Sequence, residues 1–316
     1  MNKIITLILI AVTALSAASC QTTQNPDPVQ AVDREGNPIT LPVRLDRIIS
    51  MGPSNTEILT ELGFADRIIA ADTYSKGIPG LTKDVLFFDM LASDGEQIIQ
   101  LEPDMIFVTG MSKAGGANPF KMFSDMGICV LHIPTSSSIA DIKTDISYIA
   151  TVMGTVEKGE KIVAGMENEI EKIKAIGKTI TNRKTVYFEI ASSPYLYSFG
   201  KGVFLNEMIE IIGAENILAD KESWVAVADE VILKKNPDVI LTNGTDSLSV
   251  RSTGPAYNSA LDESVQTIMS RSGWDKMTAV QNRDVYYIDA DASSRPSHNI
   301  VKALQEMAKV VYPGKY

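Results

Sequence analysis

The chain has 316 residues, 45% of them hydrophobic, and its 39 acidic and 29 basic side chains give a net charge of −10. This length provides enough apolar surface for one large domain or two medium ones. An acidic chain without a basic run repels polyanions, so nucleic-acid binding is disfavoured.

The amino terminus has the pattern of an export signal. Lys3 precedes an apolar run that is too short to span a bilayer comfortably, and small residues then lead to Cys20. A cysteine at this position resembles the lipobox of bacterial lipoproteins, although Ala17 stands where leucine is commoner. We expect residues 1–19 to be a signal peptide and Cys20 to carry lipid. The alternatives are a secreted protein with an incidental cysteine, or an uncleaved anchor.

Lipidation would leave Cys129 without a disulfide partner. Its segment "GICVLHIP" is apolar, which predicts a buried and inert thiol. The fold must then depend on its hydrophobic core.

Residues 20–46 are predicted to form a polar, proline-bearing tether followed by a first hairpin. From there the apolar pattern alternates between short strands and amphipathic helices, which is typical of a parallel α/β sheet. The strands are predicted at "DRIISMG", "RIIAAD", "MIFVTG" and "ICVLHIP". We assign residues 47–137 to an N-terminal lobe.

Between residues 138 and 178 the apolar period changes to that of helices. A helix over about 156–177 would be roughly 30 Å long at 1.5 Å per residue. Two surface helices packed on a sheet would give the same pattern, but we favour a rigid spine that joins two lobes. Strands and helices then alternate again over residues 179–316, which form the C-terminal lobe.

One motif occurs in both halves of the chain. "GEQIIQLEPDMIFVTG" at 95–110 and "DEVILKKNPDVILTNG" at 229–244 share a glutamate, an isoleucine two positions later, a Pro–Asp pair and a closing glycine. A second match lies upstream of each copy, where Glu57 aligns with Glu207 and the glycines six residues later coincide. Two matches in the same order indicate internal pseudo-symmetry.

The expected fold class is therefore α/β, with two similar Rossmann-like lobes built on parallel-type sheets, joined by a long rigid helix, and with a ligand cleft between the lobes. Ligands in open α/β sheets bind beyond the carboxyl ends of the strands. We expect the cleft to be lined by the loops that leave "IISMG", "MIFVTG", "YFEIA", "VILTNG" and "VYYIDA".

Several blocks of sequence resemble one known family. "RIISMGPSNTEILTELGFADRIIAADTYS", "EQIIQLEPDMIF", "FLNEMIEIIGAENI" and "GWDKMTAVQNRDVYYID" are similar to the class III substrate-binding proteins of ABC importers, which handle cobalamin, ferric siderophores and heme. The resemblance runs from about residue 33 to the carboxyl terminus. It implies a monomeric receptor rather than an enzyme, held at the extracytoplasmic face of a membrane through its lipid. Its ligand would be a small metal chelate, delivered to a permease dimer.

The resemblance also gives the repeated glutamates a role. In such proteins each lobe presents an exposed glutamate to arginines of the permease, and Glu96 and Glu230 occupy those positions. Alternatively, each only favours its helix N-terminus through the helix dipole. Glu57 and Glu207 form a rival pair, which we interpret as solvated helix residues.

Aromatic residues indicate the ligand. Tyr74 and Trp224 resemble the tyrosine and tryptophan that flank the corrin in cobalamin-binding members, with Trp224 six residues before Glu230. A second tryptophan would stand six residues before Glu96, where this chain has Met90. Cobalamin or another corrinoid is the favoured ligand, with ferric siderophore or heme as alternatives and no catalytic cofactor. Tyr74 could instead ligate heme iron, and either aromatic side chain could belong to the core.

Siderophore-binding members often hold anionic chelates with arginine or tyrosine on the cleft wall. The candidates for this role are Arg295, Arg251, Tyr195 and Tyr197, of which Arg295 is the strongest.

Other kinds of site are disfavoured. Only His132 and His298 could supply imidazole, and His132 lies in an apolar strand, so no bare transition-metal site is predicted. Asp289 and Asp291 are too few carboxylates for a cation site. Ser112 lies in a segment similar to a nucleophile elbow, but the second glycine is missing and no histidine is evidently paired with it.

Overall fold

The computed structural model describes residues 29–91, 94–116, 118–244 and 263–316. Its first feature is an antiparallel hairpin, β1 (Val29–Val32) and β2 (Pro38–Leu41), within the segment predicted to hold one. The Asp33 carboxylate holds the turn by accepting the backbone N–H groups of Glu35 and Asn37. The predicted signal peptide, residues 1–19, and Cys20 lie outside the described residues.

The N-terminal lobe is built on a five-stranded parallel sheet in the order β5-β4-β3-β6-β7. Its strands are β3 (Ile48–Met51), β4 (Ile68–Asp72), β5 (Leu86–Phe88), β6 (Met105–Thr109) and β7 (Cys129–Ile133). Its helices are α1 (Pro53–Glu61), α2 (Gly95–Gln100) and α3 (Lys121–Asp125). Every residue of β3 and β7 is buried, as expected for parallel strands that are covered on both faces.

Two helices connect the lobes, α4 (Ile139–Val152) and α5 (Val156–Gly177). A capping box of Ser138 and Asp141 begins α4. The helices pack closely because Gly159 faces Ala150, whose Cβ would lie 2.4 Å from a Cβ at the glycine. The long helix predicted over 156–177 is present with those bounds.

The C-terminal lobe has a four-stranded parallel sheet in the order β10-β8-β12-β13. Its strands are β8 (Thr185–Glu189), β10 (Glu215–Asn216), β12 (Val239–Thr242) and β13 (Val285–Tyr287). A separate antiparallel ribbon pairs β9 (Tyr197–Phe199) with β11 (Trp224–Ala226). The helices are α6 (Phe204–Ile211), α7 (Asp229–Lys235), α8 (263–269), α9 (Thr278–Asn282), α10 (Ala290–Ser294) and α11 (Ile300–Val311).

The aspartate of the repeated motif makes the same backbone contact in both lobes. Asp104 accepts the backbone N–H of Arg47 at 2.9 Å, and Asp238 accepts that of Thr185 at 2.8 Å. Each aspartate thus ties the start of its own strand to the neighbouring central strand. The order β4-β3-β6-β7 also matches β10-β8-β12-β13. The predicted α/β fold with two similar parallel-sheet lobes is confirmed.

The largest apolar cluster runs through the whole molecule. It includes side chains from one face of each sheet, from both linking helices and from α11, for example Phe107, Ile146, Ile170, Phe188 and Leu304. Two smaller clusters lie on the other faces of the sheets. The linking helices therefore share one core with both lobes.

Candidate ligand-binding site

A cavity of about 410 Å³ lies between the lobes. Its N-terminal-lobe lining includes Pro53, Ser54, Asn55, Tyr74, Met90, Leu91, Thr109, Met111, Ile133, Pro134, Thr135 and Ser136, and the linking helix α4 contributes Asp145. Its C-terminal-lobe lining is Phe204, Trp224, Asp291, Ser294, Arg295 and Pro296. The loops after β3, β6 and β13 reach it as expected. The described residues that follow β8 and β12 do not, and residues 245–262, which include Arg251, lie outside the described chain.

Trp224 forms an aromatic wall on the C-terminal side of the cavity. Its ring stacks on Tyr197 of the paired strand, with the planes 4° apart and the centroids 6.5 Å apart. Phe199 meets the indole edge-on, with centroids 5.9 Å apart. These contacts fix the ring while 38% of Trp224 stays exposed. Tyr197, predicted as a ligand contact, supports Trp224 from behind and is not among the lining residues. Tyr195 is 84% exposed and also lies outside the lining.

Tyr74 lies on the N-terminal-lobe wall, in the turn after β4, and is 37% exposed. Its backbone N–H donates to Asp72 at 2.8 Å, and burial raises the pKa of that carboxyl. Its carbonyl oxygen accepts from Arg295 at 2.8 Å. Contacts from both lobes therefore fix the position of Tyr74. Met90 lines the same cavity and is buried.

Arg295 lines the cavity but is 5% exposed. Its guanidinium lies 2.8 Å from Glu57 Oε1 and 2.8 Å from Asp291 Oδ1. Two carboxylates therefore balance its charge. The prediction that Glu57 is a solvated helix residue is wrong, because Glu57 is buried and its other oxygen accepts from Ser297 and Asn299.

Glu207 also differs from its prediction as a solvated residue. It is half-buried, and its carboxylate accepts the backbone N–H of Ile139 at 3.1 Å. That N–H belongs to the first residue of α4, where helix donors lack partners within the helix. Burial raises the pKa of this carboxyl, and the hydrogen bond opposes the shift.

The polar floor of the cavity could not be predicted from the sequence. Asp145 is buried, donors on Arg34 and Ser136 contact it at 2.6 Å and 2.8 Å, and burial raises its pKa. Asn55 and Thr135 also line the cavity. Arg295 is the one basic side chain in the described lining, so the cavity wall carries no unbalanced positive charge there.

Glu96 and Glu230 occupy equivalent places in the two lobes. Each is the exposed second residue of a short helix, α2 or α7. Asp94 caps α2 by accepting the N–H of Glu96 at 3.0 Å. The corresponding N-cap of α7 is Ala228, which makes no side-chain cap, and the side chain of Asp229 accepts from Trp274 at 3.1 Å. Both glutamates are thus accessible to a partner.

The remaining candidates lie elsewhere. His132 and His298 are not among the cavity lining, and burial lowers the pKa of each. Ser112 is buried and donates to the Met51 carbonyl oxygen at 3.4 Å, so it is not placed as a nucleophile. Asp289 caps α10 through the N–H of Ala292.

The described ranges contain no group of three or more metal-binding side chains. None of their helices is long and apolar enough to cross a bilayer.

Cys129 behaves as the sequence predicts. It is a buried free thiol in β7, and burial raises its pKa to about 11.

Comparison with known proteins identifies the family of this chain. The sequence profile of the periplasmic binding proteins matches residues 48–292. The uncharacterized ABC transporter substrate-binding lipoprotein YvrC of Bacillus subtilis is 30% identical, over 92% of this chain and 87% of its own. A cobalamin-binding protein of Halobacterium salinarum is 22% identical, over 90% of this chain and 74% of its own. The solved structure of a possible iron-binding (periplasmic solute-binding) protein from Staphylococcus epidermidis superposes with a TM-score of 0.71 at 27% identity, over 84% of this chain and 98% of its own. The chain therefore belongs to the periplasmic binding proteins and is the substrate-binding component of an ABC transporter.

Proposed function

We propose that this protein captures a corrinoid, cobalamin in the first instance, between its lobes and delivers it to an ABC permease. One observation carries the proposal: a largely apolar cavity receives a partly exposed aromatic ring from each lobe, Tyr74 and Trp224. Flat rings offer a macrocycle a large apolar contact area at little cost in conformational entropy. The similarity to a cobalamin-binding protein supports the same ligand class.

The charges around the cavity favour a neutral ligand. Arg295 is paired with Glu57 and Asp291, and Asp145 is paired with Arg34. A ligand anion would have to displace one of these carboxylates, because a buried charge without a partner is costly. Cyanocobalamin has no net charge, whereas heme carries two propionates and ferric catecholates are polyanions. A corrinoid therefore fits this wall better than heme or a ferric catecholate.

Heme is the second candidate ligand, because Tyr74 offers a hydroxyl that could bind its iron. The Tyr74 side chain is partly exposed on the cavity wall, and a phenolate there could ligate ferric iron. Substitution of Tyr74 by phenylalanine separates the two ligands, because it keeps the ring and removes the hydroxyl.

Delivery would use the two exposed glutamates. Glu96 and Glu230 present one carboxylate from each lobe, which suits a two-fold symmetric permease with a cationic group on each subunit. Lipid on Cys20 would hold the receptor at the membrane, as the name of the lipoprotein relative suggests. The lobes share one core with the linking helices, so binding would involve only modest closure around a largely preformed cleft.

The test is retention of a chromophore. Purified protein is incubated separately with cyanocobalamin, hemin and a ferric hydroxamate, passed through a desalting column, and its visible spectrum is recorded. We expect cyanocobalamin to co-elute with wild-type protein and with Tyr74→Phe. Retention of hemin by wild type and its loss in Tyr74→Phe would establish the alternative. No retained chromophore with any probe would overturn the ligand class.

A further inference from the structure

A buried polar contact joins the two lobes beside the cavity. Glu57 on α1 accepts from Arg295 Nη1 at 2.8 Å, from Asn299 Nδ2 at 2.9 Å and from the hydroxyl of Ser297. All three donors come from one short segment between α10 and α11 of the other lobe. Glu57 and Arg295 are each 5% exposed. One carboxylate of the N-terminal lobe thus binds a whole segment of the C-terminal lobe.

The same segment forms part of the cavity wall. Arg295 and Pro296 line the cavity, and the guanidinium also donates to the carbonyl oxygen of Tyr74 at 2.8 Å. Tyr74 and Arg295 are therefore held at a fixed separation by groups that do not need a ligand. Removal of one partner from a buried ion pair leaves an uncompensated charge, so the segment cannot leave Glu57 without a penalty.

The duplication does not require this contact. Glu207 holds the corresponding position on α6, and its carboxylate caps α4 instead of crossing the cleft. Hydrogen bonds within the N-terminal lobe also hold α1 in place next to Glu57: Thr56 Oγ1 lies 2.8 Å from Ser50 Oγ and 2.9 Å from Ser75 Oγ. The position of Glu57 is thus well defined before any ligand binds.

We propose that Glu57 is a positioning residue for the ligand site. It clamps the 295–299 segment across the cleft, and it neutralises Arg295 so that the site selects a ligand without net negative charge. The clamp goes beyond the proposed function, whereas the selection for charge rests on it.

The first experiment needs no ligand. Backbone hydrogen exchange is compared in wild type, Glu57→Gln and a control, Glu160→Gln, which removes the same charge from an exposed position on α5. We expect exchange over residues 74–76 and 295–299 to be at least tenfold faster in Glu57→Gln and unchanged in the control. Unchanged exchange in Glu57→Gln would overturn the clamp.

The second experiment tests the charge. Dissociation constants for cyanocobalamin and hemin are measured for the same proteins and for Glu57→Gln/Arg295→Gln. Glu57→Gln leaves Arg295 with less compensation, so we expect the preference for cyanocobalamin over hemin to fall at least tenfold. The double variant has no unpaired cation there and should recover the wild-type preference. If Glu57 had only a structural role, Glu57→Gln would weaken the binding of cyanocobalamin and of hemin by the same factor. That result would overturn the proposal that Glu57 neutralises Arg295.

The two failures are distinguishable. If wild type binds neither probe, the proposed ligand class and the selection for charge both fail. Faster exchange in Glu57→Gln would then still establish the clamp.

Discussion

The two lobes share four parallel strands in the same order, yet corresponding residues have different surroundings. Gly63 and Gly213 each follow a helix with positive φ, +92° and +82°. Within 4 Å, a Cβ at Gly63 would meet only the Lys158 amine, the end of a long side chain, at 3.0 Å, but one at Gly213 would lie 2.6 Å from the backbone oxygen of Gly177. Duplication has kept the backbone conformation in both lobes, whereas the packing around it has diverged.

The paired glutamates show the same divergence more strongly. Glu57 crosses the cleft to Arg295, while Glu207 stabilises the start of a linking helix. In contrast, Asp104 and Asp238 make the same contact in each lobe. Contacts within a sheet were thus preserved, and contacts between a lobe and its surroundings changed. Substitutions at corresponding positions of the two lobes test how far their surroundings have diverged.

Alanine at the two glycines should give the largest difference in stability. Gly213→Ala combines the left-handed backbone with a clash against fixed backbone, and should lower the free energy of unfolding by about 2–4 kcal/mol. Gly63→Ala has the backbone cost alone, about 1–2 kcal/mol. Urea denaturation measures both. Equal losses would show that packing around the two turns has not diverged.

The aromatic walls should contribute unequally to ligand affinity. Trp224→Ala should weaken cyanocobalamin binding by about 2 kcal/mol, roughly thirtyfold, because a large and pre-oriented ring is lost. Tyr74→Ala removes a smaller ring and should cost less. Trp224→Phe is the matched control, since it keeps an aromatic face next to Tyr197. Fluorescence titration reports the affinities, and a larger loss for Tyr74→Ala would place the main contact on the other lobe.

The paired aspartates should lose similar stability. Asp104→Ala and Asp238→Ala each remove the acceptor of a central-strand N–H, at about 1–2 kcal/mol. Asparagine at either position keeps one acceptor oxygen, so it should cost less than alanine. Two closely matching losses in denaturant would support the common structural purpose of the motif. A negligible loss at one position would show that the repeat is only sequence similarity there.

Acid stability should depend on the single described histidine of each lobe. Burial lowers the pKa of His298, which also faces Glu61, Glu57 and Lys302. The unfolded chain therefore binds a proton more readily than the folded chain. The contribution of His298 is fully present above about pH 6.5 and is lost as pH falls toward the lowered folded pKa. His298→Gln should flatten the fall in unfolding free energy between about pH 7 and 5.5, and His132→Gln should act likewise. An unchanged slope in both would contradict buried neutral imidazoles.

The sequence predicted the elements that depend on local pattern. Continuous apolar runs predicted seven of the nine strands in the two parallel sheets but missed the short β5 and β10, and a helical period predicted α5 with its bounds. The prediction that Glu57 is solvated was wrong because it assumed that the helix around Glu57 has one face exposed to solvent. In α1 every residue from Ser54 to Leu59 is buried, so no such face exists there. Its partner Arg295 lies 238 positions away, and no local spacing indicates that pair.

The ribbon that carries Trp224 was missed for a related reason. β9 and β11 are three residues each and are separated by α6 and β10. Strands this short give no clear alternation, and their pairing is non-local. The stacking of Tyr197 on Trp224 therefore could not be anticipated, although both aromatic residues were selected as candidates.

The exposed glutamates should have the smallest effect on stability and a large effect on transport. Glu96→Ala and Glu230→Ala should each change the free energy of unfolding by less than about 0.5 kcal/mol, since both side chains are exposed. Ligand affinity should also stay constant, because neither residue is among the cavity lining. Uptake by cells that express the cognate permease should fall for each variant and fall further for the double variant. Gln97→Ala, in the same exposed turn of α2, controls for a general surface effect. Loss of ligand binding with intact folding would show that the glutamates lie in the cleft instead. Full uptake in the double variant would show that they do not contribute to docking with the permease.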